Sequence, residues 1–189
     1  MVSLIQLWLP ILLSAVFVFV ASSFVHMVFK WHNADYRKLP NEDEVRAAIR
    51  KGAATPGQYS MPHCLGPKDA QKPEIQQKFA DGPVAMMWVL PNGMPGMGKM
   101  LGQWFALNLL VAFLTAYVAA NTLVAGALPL HVLRVTASIG FLAYAIGSIS
   151  DGIWFGKPWA AVGKDLLDAL IYGFAGGAAF AWLWPAAGG

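Results

Sequence analysis

Charge is scarce in this chain and absent from long parts of it. Residues 2–29 contain no Lys, Arg, Asp or Glu; residues 101–150 contain one, Arg134; residues 169–189 contain none. Charged residues are 12% of the total, against about 25% in a soluble domain. A bilayer solvent selects that deficit. A stretch of about 20 apolar residues crosses the ~30 Å hydrocarbon core as a helix, and lipid-facing backbone of such a chain is helical because its polar groups find no other partners. Cysteine is nearly absent too. Cys64 is the one thiol, which excludes an intrachain disulfide and a zinc site of paired CxxC type. The net charge of +3 is too small to argue for nucleic acid. P-loop, Rossmann, GxSxG and HExxH patterns are all missing, as are internal repeats and the inverted broken helices of transporters. No catalysis is expected from this inventory.

What is present is four apolar stretches around one polar insert. The expected fold is an all-α membrane protein, with four transmembrane helices and a small mixed extramembrane module between the first and second. The spans are 3–29, 101–121, 130–150 and 166–184, with an interfacial loop at 151–165. The apolar run at the N-terminus lacks the basic n-region and short h-region of a signal peptide, so it reads as a span. Pro10 removes one helical hydrogen bond and predicts a kink there. The insert, residues 30–100, holds 10 of 13 Lys/Arg and 7 of 10 Asp/Glu.

Within the insert, Asn41 followed by Glu44 has the spacing of a capping box. Acids in the first turn and Arg50-Lys51 in the last suit the helix dipole, and Gly52 suits the C′ position. A helix over 42–51 follows. Pro73 opens a second, to about residue 80. Residues 84–90 read as a strand, closed by the turn Pro91-Asn92-Gly93. A lone strand needs a partner, and residues 58–63 are nominated.

Lys30, Arg37, Lys38, Lys99, Lys157 and Lys164 lie near helix ends on one side of a four-span arrangement. An excess of Lys/Arg marks the cytoplasm. The expected location is the bacterial inner membrane, with residues 30–100 cytoplasmic and both termini outside. Cys64 would then lie in a reducing compartment.

Four groups of residues are candidates for chemistry. Met61, His63 and Cys64, with the Met94/Met97/Met100 run, offer soft donors that select copper(I); methionines that fill packing gaps explain the same pattern. A polar set near the cytoplasmic helix ends comprises His26, Lys30, Asn108, Asp165 and Asp168. Ionisable residues at such depth face the bundle interior and pair, so His26 and Asp168 are expected to meet, as an ion or proton pathway or as a plain interhelical hydrogen bond. His32 and Asp35 read either as a metal or substrate pair or as a juxtamembrane elbow. On the opposite side, His131 and Arg134 share a helix face and either bind lipid headgroups or snorkel. Haem would need paired buried histidines and is not expected. Gly173 and Gly177 form a GxxxG pair that lets two helices approach closely, within one chain or between subunits.

The run KWHNADYRKLPNEDEVRAAIRKG, followed by PGQYSMPHC and DGPVAMMWV, resembles uncharacterised small bacterial membrane proteins. The resemblance covers the insert and both flanking helices. It implies bacterial origin and four helices, and it carries no activity and no site residues. The functional expectation is an accessory, anchoring or assembly subunit in a lipid bilayer, within a homo-oligomer or a larger membrane complex. The alternatives are copper or other soft-metal handling through Met61, His63, Cys64 and the methionine run, and an ion or proton pathway through His26 and Asp168.

Overall fold

The chain enters its first long helix through a capped turn. In a computed structural model that describes residues 2–187, the Ser3 backbone N–H donates to Gln6 Oε1 and the Gln6 N–H donates to Ser3 Oγ. A 3-10 turn, Leu4–Leu7, passes into α1, Trp8–Ser23. Pro10 therefore falls in the first turn of α1, where a missing N–H leaves no gap in the ladder. In place of the expected kink at Pro10, the helix changes type just before it, from 3-10 to α at Trp8. At the far end the helix widens into a π turn, Phe24–Phe29. Lys30 then takes a left-handed conformation (φ 54°) and a 3-10 turn follows at Trp31–Asp35.

The remaining elements are α2 (Glu42–Lys51), β1 (Gly57–Met61), α3 (Pro67–Ala70), α4 (Pro73–Asp81), β2 (Ala85–Val89), α5 (Met97–Thr122), α6 (Pro129–Trp154) and α7 (Trp159–Trp182). They form two compact units, one of residues 37–95 and one of residues 1–36 with 96–189.

In the smaller unit β1 and β2 pair antiparallel, with Gly57 opposite Val89 and Met61 opposite Ala85. Two local expectations are corrected. The Asn41 side chain accepts no backbone N–H of α2; its amide donates instead to the Glu44 carboxylate at 3.1 Å. Gly52 stays right-handed (φ −72°), and the left-handed residue after α2 is Ala53 (φ 51°).

In the larger unit three helices are long and apolar enough to cross a membrane: Leu4–Phe29, Met97–Thr122 and Pro129–Trp154. α7 is 24 residues long, carries Lys164, Asp165 and Asp168 in its first half, and is not among these three. The expected interfacial loop of residues 151–165 shrinks to 155–158. α6 runs on through Asp151, and Pro158 sets the start of α7.

Packing in this unit is inverted relative to a soluble bundle. α5 buries Asn108, Ala112, Thr115, Ala116 and Ala119, and it exposes Leu110, Phe113, Leu114 and Tyr117. Large apolar groups outward and small or polar groups inward is the arrangement that lipid favours, because lipid supplies no hydrophobic drive between helices and close contact must replace it. α7 does the same, burying Ala169, Gly173, Gly176 and Gly177 and exposing Leu167, Leu170 and Phe174.

The seam between α6 and α7 is the tightest. A Cβ at Gly173 would lie 2.7 Å from the Ala137 carbonyl oxygen and 2.9 Å from the Phe141 nitrogen. At Gly177 it would lie 3.0 Å from the Ala137 nitrogen. Gly173 and Gly177 thus face α6 of the same chain, and Gly176 faces Ser14 and Val18 of α1.

Candidate functional site

The π turn and the left-handed Lys30 reverse the chain at the end of α1, and that reversal lays residues 31–35 against the first half of α7. Four titratable side chains meet there in a line. Asp168 is only 6% exposed. Its Oδ1 accepts the Trp31 indole N–H at 3.1 Å, and its Oδ2 lies 2.7 Å from His32 Nε2. His32 Nδ1 lies 2.9 Å from Asp35 Oδ2. Asp35 accepts from Lys164 Nζ, which also donates to the Trp31 carbonyl at 2.7 Å.

The order Asp168, His32, Asp35, Lys164 alternates carboxyl groups with nitrogen bases. A neutral imidazole has one N–H and donates to one carboxylate; a protonated ring donates to both. The Lys164 ammonium beside Asp35 holds that carboxyl below its usual range, against partial burial that pushes it up, and the His32 ring adds to the lowering.

A second pair lies close by on α7. Asp165 accepts from Lys157 and from the Ser148 hydroxyl. Asp165 and Asp168 are three residues apart, yet each has its own partners.

Behind this line the bundle carries an aromatic and hydroxyl layer. The His26 ring lies 5.1 Å from the His32 ring, and the Tyr172 hydroxyl lies 3.4 Å from His26 Nε2. Tyr172 makes edge contacts with Trp104 and Tyr144. The Tyr144 hydroxyl donates to Asn108 Oδ1 at 2.9 Å, and the Trp104 indole donates to Ser22 Oγ at 2.9 Å. Asn108 is buried, and its Nδ2 has no partner among the described residues. Ser148, Lys157, Trp104, Tyr144 and Tyr172 carry no spacing signal that links them to Asp165, Ser22, Asn108 or His26. Polar and aromatic residues inside apolar helices are the one hint.

The expected meeting of His26 with Asp168 is corrected. His32 takes the place beside Asp168, and the His26 ring lies next to it, tilted by 33°. Lys30, at the reversal, contributes its backbone conformation.

The soft donors are not drawn together. Met61 ends β1. His63 Nδ1 is 3.5 Å from Ser60 Oγ, and the Cys64 thiol faces the Gly66 carbonyl at 3.6 Å. Met94 is 95% exposed, while Met97 and Met100 lie in the first turn of α5. Among the described residues no group of three or more His, Cys, Asp or Glu is placed to hold a metal ion. His131 and Arg134 lie exposed at the start of α6.

No family model, curated protein or solved structure matches this chain.

Proposed function

We propose that this chain is a non-catalytic protein of the bacterial inner membrane. Its four long helices cross the bilayer, and its Arg37–Pro95 unit serves on the cytoplasmic side as the docking module of an accessory or assembly subunit. The support for the fourth crossing is α7, where Leu167, Leu170 and Phe174 are exposed while Gly173, Gly176 and Gly177 are buried, the large-out, small-in pattern that α5 also has. The network around Asp168 fits the same reading. It ties the segment leaving α1 to α7 and so fixes where the chain leaves the bundle.

The observation that carries the docking role is the bare face of the two-stranded sheet. Met86 and Trp88 alternate outward along β2, 44% and 57% exposed, with Val84 and Leu90 exposed at its ends. A two-stranded sheet alone is marginal, and both of its outer edges are unpaired among the described residues. An apolar face beside open edges fits a partner polypeptide that packs on the sheet or extends it. A photoreactive phenylalanine analogue at position 88 tests this in intact cells. The expected result is one discrete protein adduct, weakened by Met86→Ser. Adducts to lipid alone, or none, would defeat the docking reading.

A second reading, proton handling, draws on the adjacent His26 and His32 rings and the His32–Asp168 contact. Proteoliposomes carrying a trapped pH dye would report it as proton uptake that His32→Phe abolishes.

A further inference from the structure

Between α6 and α7, on the face away from α1 and α5, runs a groove of about 560 Å³. The glycine seam explains it. Gly140 and Gly177 bring the two backbones together, so the bulky residues flanking the seam stand out as walls. Leu133, Phe141, Leu170 and Phe174 are apolar; Ser138 and Arg134 are the polar members. Arg134 is the one charge between residues 101 and 150. No carboxylate pairs with it among the described residues. A guanidinium within a membrane helix is costly and ordinarily has a partner.

We infer that this groove holds one acyl chain of an anionic phospholipid, with the lipid phosphate on Arg134. Along α6 the lining runs from Leu130 to Leu142, about 18 Å at 1.5 Å per residue. That is close to half of a ~30 Å hydrocarbon core, the depth of one leaflet. Arg134 lies near the start of α6, at the end where a headgroup would sit, and its planar fork suits a phosphate. His131, one turn earlier, is exposed on the same side.

A second copy of the chain is a poorer occupant. Residues 101–150 and 169–189 contain no Asp or Glu, so the same face of another subunit brings no carboxylate to Arg134. The proposal rests on α6 and α7 lying in the bilayer, which labelling of the chain's two sides tests separately.

The test is lipid retention by the purified full chain in mild detergent. Equal amounts of phosphatidylglycerol and phosphatidylcholine are supplied, and bound lipid is counted by native mass spectrometry. The expected preference for phosphatidylglycerol is about tenfold, which corresponds to about 1.4 kcal/mol. Arg134→Gln should bring the two lipids to parity without changing the melting temperature. Ser138→Phe should fill the groove and displace both lipids. Both residues are exposed, and size-exclusion elution checks that each variant keeps its fold; if Ser138→Phe does not, Arg134→Gln decides alone. No preference in the parent, or an undiminished preference in Arg134→Gln, would overturn the proposal. So would displacement of the lipid by excess inorganic phosphate, which would make the site one for a free anion. A dimer that dissociates in Ser138→Phe would assign the groove to a second copy instead.

Discussion

Adding a single methyl group at Gly173 should separate two helices. The new Cβ would stand 2.7 Å from the Ala137 carbonyl oxygen and 2.9 Å from the Phe141 nitrogen. Both are backbone atoms of α6 and cannot rotate away. Ordinary contact begins at 3.4 Å, so the helices must part locally by about 0.7 Å, in an interior packed as densely as an organic crystal. Overpacking of this kind costs about 1–3 kcal/mol, and in lipid the lost contact is the main source of helix association. Gly173→Ala should therefore lower thermal stability in detergent more than any other glycine in α7. Gly177→Ala, whose new atom meets α6 at 3.0–3.1 Å, should follow. Gly176→Ala meets the Ser14 hydroxyl at 2.7 Å; that side chain can turn, so the loss should be smaller. Gly147→Ala has no neighbour within 4 Å and is the control, unlike Gly126, whose φ of +78° and contact with Ala187 make any replacement there strained. Because the seam lies within one chain, size-exclusion elution should not change. Equal melting temperatures for Gly173→Ala and Gly147→Ala would refute the close-packing argument.

Removing the imidazole should expose the dependence of the Asp168 network on it. His32→Phe keeps a ring but leaves a buried carboxylate with one donor, at a cost on the order of 3 kcal/mol; Asp168→Asn in the same background should restore part of the loss, and unchanged stability in the single variant would count against the pairing. Asp35 has a carboxyl held below its ordinary value of 3.8, chiefly by Lys164. Its folded value is the lower one, so its contribution is complete above about pH 4 and lost as the pH falls through the depressed value. Acid titration of melting temperature should show a steeper fall for the parent than for Asp35→Asn, and parallel curves would refute the coupling. The residue 37–95 unit, with its paired strands, should protect the amides of β1 and β2 from exchange in the intact protein; uniformly fast exchange across residues 57–89 would show that the sheet does not persist.

The long helices were legible because lipid imposes one simple demand, a run without charge, and the chain meets it openly. Their ends were less so. α6 tolerates Asp151 in its last turn, which a hydropathy reading takes for a loop. The strand pair was legible from punctuation, since glycine and proline bound both strands. The candidate site was only half legible. Its members were visible as rare polar residues at one end of the bundle, and His32 and Asp35 as a spaced pair. Which residue would meet Asp168 was not, because the answer turns on the π turn and on Lys30 in a left-handed conformation, and neither has a signature in residue preference. Ala53 in place of Gly52 as the left-handed residue is the same lesson on a smaller scale. The seam glycines could be named from GxxxG spacing, but whether they face α6 or another subunit depends on helix rotation, which spacing alone leaves open.

A four-helix anchor requires that α7 cross the membrane. In a Cys64→Ser background, Lys68→Cys and Ala186→Cys place single exposed thiols on either side of α5, α6 and α7. An impermeant thiol reagent applied to intact cells, with the outer envelope made permeable, should label position 186 at once and position 68 only after the inner membrane is opened. Labelling of both positions from the same side would mean that the chain crosses an even number of times between them, and the four-helix anchor would be wrong.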